Sequence, residues 1–392
     1  MPAAGALLRS SAMQTATVNA EGIARKPTVA RKPPFRAEHV GSLLRPAAVL
    51  AARKDAEAGR ISRAALRRIE DHTIRRLVKR QQDIGLEVAT DGEIRRGTWH
   101  MDFLCQIGGV TARGIQRRPF RNETGDVLNE IVIPKVTDRL HLERTIFGED
   151  FVFLKAHTAA VPKLTIPSPN MLYGLGEVEN PDVYADIELE LRDLVDVYAE
   201  QMRRLELLGC RYLQIDDTTF ATLGHAIFRN EGTAGARTAD TPLSTFIGLM
   251  NAVLERKPPS MTVCVHTCRG NHRSAWIASG GYDAVAEAVF NELKVDGFFL
   301  EYDDARSGSF EPLRFVPKDK TIVLGLVTTK SGRLESKDDL KRRVDEAARY
   351  VPLDQLCLSP QCGFASTLQG NLLTEDEQFA KLGLMVETAR EI

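Results

Sequence analysis

Two side chains able to bind a metal stand two positions apart in Cys264-Val-His266-Thr-Cys268. Alternate residues of an extended chain face the same side, so the imidazole of His266 and the thiol of Cys268 point together. Imidazole, thiolate and carboxylate all suit Zn(II), and Glu301 and Cys362, each at the end of another short apolar run, complete a candidate tetrahedral set. The four are spaced far too widely for a compact zinc finger and fit a reactive site assembled by the fold. Zinc held in this way would take up an incoming thiol and deprotonate it at neutral pH, where a free thiol with a pKa of about 8.5 is mostly protonated. The product of that step is a thiolate nucleophile ready for alkylation.

Other polar residues suggest what the thiol belongs to. Glu93 and Asp216 could hold a substrate ammonium group, while the Ser42 region could supply hydroxyl or amide donors to a carboxylate, a pairing that reads an amino-acid thiol. The plainer reading of the same carboxylates is salt bridging or helix capping. Asp303, Asp304 and Arg306 form a charged loop beside Glu301 that would support it from behind. Arg269, Asn271, His272 and Arg273 follow the ligand strand and could meet an anionic part of a cosubstrate, and Trp99 and His100 could stack on a ring. Cys264 and Cys357 sit within apolar strands and read as core, and Cys105 and Cys210 have no ligand partners in the sequence.

Residues so scattered need a fold that gathers them. Eight short apolar runs can be counted: 37–42, 87–91, 163–168, 211–216, 262–266, 297–301, 322–328 and 355–359. Amphipathic helical segments follow most of them, the signature of a parallel sheet that closes into a (β/α)8 TIM barrel. In such a barrel the chemistry gathers at the carboxyl ends of the strands, and that is where Ser42, Glu93, Asp216, His266, Glu301 and Cys362 fall. Leu191, Leu194, Tyr198, Met202 and Leu205 form one helical stripe, with Gly209 as its left-handed cap. Ser336 with Asp339 and Thr374 with Glu377 start the last two helices. Residues 100–161 break the rhythm, with apolar alternation around Glu130–Val136 and no long helix, and read as an insertion after the second strand near the barrel mouth. Residues 1–34, rich in Ala, Arg, Lys, Thr and Pro, read as a disordered extension ahead of a single catalytic domain over 35–392.

Composition narrows the partners. Among 392 residues, Lys plus Arg (52) balance Asp plus Glu (53), which argues against nucleic acid or an anionic membrane as partner. No apolar run approaches the roughly 20 residues of a membrane helix. Six cysteines are too few for a secreted disulfide framework, so free or metal-bound thiols and a cytoplasmic setting are expected. An organelle transit peptide is the other reading of the acid-poor start.

The ordered motifs His39-Val-Gly-Ser-Leu-Leu-Arg-Pro46, Asp91-Gly-Glu93, Leu213-Gln-Ile-Asp216, His266-Thr-Cys268, Leu300-Glu301 and Ser359-Pro-Gln-Cys-Gly363 resemble the catalytic domain of the cobalamin-independent methionine synthase family, from about Phe35 to the C-terminus. The resemblance implies a (β/α)8 barrel, a zinc ion, and methyl transfer from a methylated tetrahydrofolate to homocysteine. It places His266, Cys268, Glu301 and Cys362 on the family's zinc ligands and Ser42, Glu93 and Asp216 on its homocysteine-binding positions, with Asp216 also in the catalytic group. The departures bear on the donor, folate or corrinoid. The family's large N-terminal domain has no counterpart in these residues, so the likeness is to short, core-like members. Thr165-Ile-Pro-Ser-Pro-Asn170 lacks the tryptophan that supports the folate ring nearby. Asp217 replaces the usual glutamate, and Lys330 falls where the proton-donating histidine is expected. A lysine donates a proton readily only if its surroundings lower its reference pKa of about 10.4. Two other enzymes share enough of this pattern to compete: a zinc thiol alkyltransferase that opens epoxides, and a metal-free decarboxylase of the porphyrin type.

Overall fold

Parallel strands buried on both faces are expected to be short, continuous apolar runs. The computed structural model, which describes residues 32–122, 125–178, 182–223 and 241–392, contains such strands where the sequence reads that way. In chain order they are β1 (Val88–Ala89), β2 (Gly108–Asn122), β3 (Gly125–His141), β4 (Val161–Pro162), β5 (Leu164–Pro167) and β6 (Glu177–Val178). Then come β7 (Tyr212–Asp216), β8 (Thr262–Thr267), β9 (Gly297–Glu301), β10 (Thr321–Val327) and β11 (Leu356–Pro360). The fold is mixed α/β around a six-stranded parallel sheet in the order β11-β10-β9-β8-β7-β5.

Both ends of this sheet continue through shorter pairings. At β11, Ala37 makes a parallel bridge to Leu358. At β5, the chain runs back through Lys163, whose N–H donates to Ala89, into β4, which pairs in parallel with β1. The strand expected over Ala37–Ser42 is therefore reduced to a single bridge. The physical reason lies in its backbone partners: the Gly41 carbonyl accepts from the Thr90 hydroxyl, and the Leu43 N–H donates to Gly92 instead of to a neighbouring strand.

Helices cover one face of the sheet. The helix Ile187–Leu207 buries Leu194, Tyr198, Met202 and Leu205 and ends before Gly209, whose φ of +94° a residue with a side chain would adopt only under strain. Thr374 and Glu377 exchange hydrogen bonds in a complete capping box at the start of the last helix, and Ser336 caps Asp339 in the helix before it. On the other face, Val88, Tyr212, Cys264, Phe299, Val323 and Cys357, each from a different strand, pack with Phe35 and Val40 into a separate apolar cluster. Cys264 and Cys357 are thus core residues, as their position within apolar strands implies.

Within residues 100–161, β2 and β3 form a long antiparallel hairpin, and β3 is joined in parallel by the short β6. Residues 33–392 make one compact unit. The extension expected over 1–34 falls, up to residue 31, outside the described residues. Among the described residues no helix is long and apolar enough to cross a membrane.

Candidate metal and thiol site

His266 is the penultimate residue of β8 and Cys268 lies just beyond its end, so the pleat sends both side chains to the same side. Cys362 follows β11. The ligand atoms of His266, Cys268 and Cys362 all lie within 4.8 Å of one another, and all three residues are buried. The two sulfurs are 3.7 Å apart, too far for a disulfide bond of about 2.05 Å. Two thiolates on a tetrahedral zinc, each about 2.3 Å from it, would stand about 3.8 Å apart. Both ring nitrogens of His266 are buried without a hydrogen-bond partner, an arrangement that a metal ligand would relieve. The donor set therefore fits zinc.

Electrostatics divide the two cysteines. The Cys268 thiol beside Cys362 holds the latter well below the ordinary thiol range, and His266 assists. Cys268 is pushed well above that range by the Cys362 sulfur and by burial. Burial lowers the His266 pKa, but Cys362, Asp216 and Glu301 outweigh it and the net direction is upward.

Glu301 ends β9 and is fully buried, but the described contacts occupy both its oxygens. Oε2 accepts from the Arg269 backbone N–H at 2.7 Å, and Oε1 meets Arg306 at 2.5 Å and Lys330 at 3.3 Å. These cations overcome burial and hold its pKa at about 2. Glu301 is outside the group of three mutually close ligands.

One cavity of about 140 Å³ is lined by these three and by Ser42, Glu93 and Asp216. Glu93 stands on a tight turn in which Gly92 and Glu93 itself have φ of +69° and +56°. The turn is fixed by Asp91, which accepts from the Glu93 N–H, and by Arg45, which donates to the Glu93 carbonyl. Its carboxylate accepts from Thr165 at 2.8 Å and lies 3.6 Å from Arg96, yet burial still raises its pKa. The Ser42 oxygen accepts from the Ala365 N–H, which leaves its own hydrogen to donate. A Cβ at position 363 would sit 2.0 Å from that oxygen, so glycine is needed beside Cys362. Asp216 is raised to about 7, first by burial, although His266 and a hydrogen bond from Gln214 favour its charged form.

Other expected residues have different settings. The Arg269 guanidinium is engaged by the Gly280, Glu301 and Ser307 carbonyls and by Tyr282, and the residue does not line the cavity. Arg306 braces Glu301, Asp303 and Asp304, as its position beside Glu301 suggests. Lys330 pairs with Asp303 at 2.9 Å; burial lowers its pKa, but Glu301 and Asp303 raise it more, opposite to the direction that proton donation requires. Nor does it line the cavity. Trp99, His100, Asn271 and His272 do, with the Trp99 and His100 rings 4.7 Å apart.

Sequence reasoning missed the hairpin's contribution: Arg118, Phe120 and Ile131 also line the cavity. It also missed Asp217 as a hub, accepting from Ser168 at 2.7 Å, Asn170 at 2.8 Å and the Thr219 N–H at 2.7 Å. The cluster Thr165-Ile-Pro-Ser-Pro-Asn170 carried that signal, since a buried Asp needs such donors.

A buried imidazole and two thiols at the ends of parallel strands, opening on a cavity lined by the carboxylates of Glu93, Asp216 and Asp217, define a mixed α/β protein with a candidate metal site. Residues 171–391 match the family described as the catalytic domain of cobalamin-independent synthase, and the chain belongs to that family. It is 47% identical to the uncharacterized protein YxjH of Bacillus subtilis, over 92% of this chain and 96% of that one. It is 24% identical to the methionine synthase of Pyrococcus furiosus, over 90% and 91% of the two chains. Among solved structures, a Listeria monocytogenes protein provisionally named a vitamin-B12 independent methionine synthase is 35% identical, with a TM-score of 0.72, over 92% of this chain and 98% of its own.

Proposed function

We propose that this chain is a zinc-dependent S-methyltransferase that turns homocysteine into methionine with a methyltetrahydrofolate-type donor. Residues 35–392 would form one closed (β/α)8 barrel, the Ala37 segment and β1 completing the ring, with 100–161 inserted near its mouth. One observation carries the reading: His266, Cys268 and Cys362 converge in the same small cavity as Ser42, Glu93 and Asp216. The methionine synthase name of the Pyrococcus relative points the same way.

His266, Cys268 and Cys362 would hold the zinc, with Glu301 as the fourth ligand, the one to yield when substrate sulfur arrives. Zinc, when bound, supplies the positive charge that keeps the homocysteine sulfur deprotonated at neutral pH. The carboxylates of Glu93 and Asp216 accept the substrate ammonium, and the Ser42 hydroxyl donates to its carboxylate. Burial strengthens these contacts by excluding competing water. Lys330 is assigned to fixing Glu301 and Asp303, and proton delivery to the departing donor falls to another group. A cytoplasmic setting would keep the two cysteines reduced.

The test is a donor panel on purified, zinc-assayed protein. Methyltetrahydrofolate with one and with several glutamates and methylcobalamin are each offered with homocysteine. Methionine formation with about one zinc per chain is expected. Full activity in metal-free protein, or no methionine from any donor, would overturn the proposal.

A further inference from the structure

The strand β7 reads Tyr212-Leu-Gln-Ile-Asp216, and its alternate residues Tyr212, Gln214 and Asp216 share one face. They make a polar column along a strand whose other residues, Leu213 and Ile215, are apolar. Tyr212 and Gln214 are wholly inaccessible, and Asp216 reaches the cavity. Beside the column lies Lys163, just ahead of β5, its side chain as buried as that of its ion-pair partner Glu38. Burying such a pair costs several kcal/mol of desolvation per ion, and well-packed apolar residues would serve stability as well. The pair therefore calls for a purpose other than stability.

We infer that Lys163 and Gln214 are positioning residues that aim the Asp216 carboxylate at the substrate ammonium, an inference that rests on the role given to Asp216 above. An ammonium has three donors and no acceptor. Lys163 directs its donors at Glu38 Oε2 (3.3 Å), the His39 carbonyl and Gln214 Oε1 (3.1 Å). The far side of Glu38 is fixed in turn, its Oε1 accepting from Tyr212 at 3.0 Å and from the Phe35 N–H at 2.9 Å. Because Lys163 can only donate, the Gln214 amide must turn its oxygen toward it. The NH2 group then faces Asp216 and donates to Oδ1 at 2.6 Å. Reversing the amide would set two groups of donors against each other and leave the carboxylate facing an oxygen. The buried charge thus holds a neutral side chain in one of its two orientations. That orientation occupies Oδ1 and leaves the other oxygen of Asp216 for a ligand.

The experiment compares binding of homocysteine with that of 4-mercaptobutyrate, the same molecule without its amino group, to zinc-loaded protein by calorimetry. Wild type is expected to prefer homocysteine by at least about tenfold, the range of one charge-assisted hydrogen bond. Gln214→Met, close in shape but unable to make either bond, should bring that ratio toward one while zinc content and 4-mercaptobutyrate affinity stay unchanged. The double variant Lys163→Met/Glu38→Gln, which removes both buried charges and frees the amide to turn, should lower the ratio less; either variant that folds suffices. A preference that survives in the folded variants overturns the relay and leaves the function standing. Equal weakening of both thiols, or loss of zinc, reduces Gln214 to a structural role and likewise overturns it. No preference in wild type would instead remove the ammonium role of Asp216, and the relay with it.

Discussion

The cavity has two kinds of wall. On one side, His266 and Asp216 end adjacent strands and are partners in the β7–β8 register, with Cys268 and Cys362 just past the ends of β8 and β11. Their positions follow from backbone ladders within the six-stranded sheet, and Asp216 and Glu93 are further tied by Gln214, Thr165 and Arg45. On the other side, Arg118, Phe120 and Ile131 come from the β2–β3 hairpin. Near its tip the hairpin is held by a pair of backbone hydrogen bonds between Arg121 and Trp276 and by the Phe120 ring, 5.5 Å from that of His272. Its outer face shows Ile115, 69% exposed, directly across the ladder from Val132, 43% exposed. The contrast separates two tasks. Groups that must meet within a few tenths of an ångström are mounted on the sheet, whereas the opposite wall of the cavity sits on an element whose residues can change without moving the sheet.

If that division holds, damage to the sheet side should abolish chemistry and damage to the hairpin should only retune it. The largest effect is expected for Cys362→Ser. Metal analysis should show zinc falling well below one per chain, and methionine formation should drop by about a thousandfold or more, since the thiol would lose its activating charge. Retained zinc with retained activity would remove Cys362 from the ligand set. Next comes Glu93→Gln, which keeps shape and removes charge. Its KM for homocysteine should rise by about tenfold to a hundredfold with zinc content unchanged, in line with one lost charge-assisted hydrogen bond. A purely lowered kcat would show that Glu93 acts on the reaction and not on binding.

The same division explains what could be read from sequence. β9 coincides with the run 297–301, and β7 and β8 match their runs to within one residue, because strands buried on both faces are short and mostly apolar and a charged or metal-ligating residue stands at the end of each. His266 and Cys268 were legible as a pair from alternation alone. The segment 37–42 is apolar enough for a strand, but only its start pairs with β11, the Glu38 N–H donating to Leu358, while Gly41 and the following Leu43 bond to Thr90 and Gly92. The hairpin gave only a short alternating signal, and nothing in Arg118 or Phe120 announces the docking at Trp276 that brings them to the cavity. Whether Lys330 could give up a proton was equally hidden, because its setting is decided by Glu301 and Asp303, 29 and 27 positions away. Gln214 could have been found as the middle of a polar column, but not its partner Lys163, 51 positions earlier.

On the hairpin side, Phe120→Ala tests the retuning directly. Donor KM should change by less than about tenfold, the scale of one aromatic contact, and homocysteine affinity and zinc should stay as in wild type. Loss of zinc in this variant would mean that the hairpin and the sheet side are mechanically coupled and would break the comparison.

The smallest effect belongs to His100, which stands where the chain leaves the sheet side for the hairpin. Burial holds its pKa down at about 4, against 6.5 for the ordinary side chain. The unfolded chain therefore takes up a proton at this residue as pH falls below about 6.5, while the folded chain stays neutral there until about 4. The stability associated with neutral His100 is complete above pH 6.5 and is lost progressively through that window, by at most about 3 kcal/mol. Urea midpoints measured from pH 7 down to pH 4 should fall more steeply for wild type than for His100→Gln, which has no proton to gain. Parallel slopes would show that the His100 ring titrates as in solvent, and that the junction between the two walls is open to water.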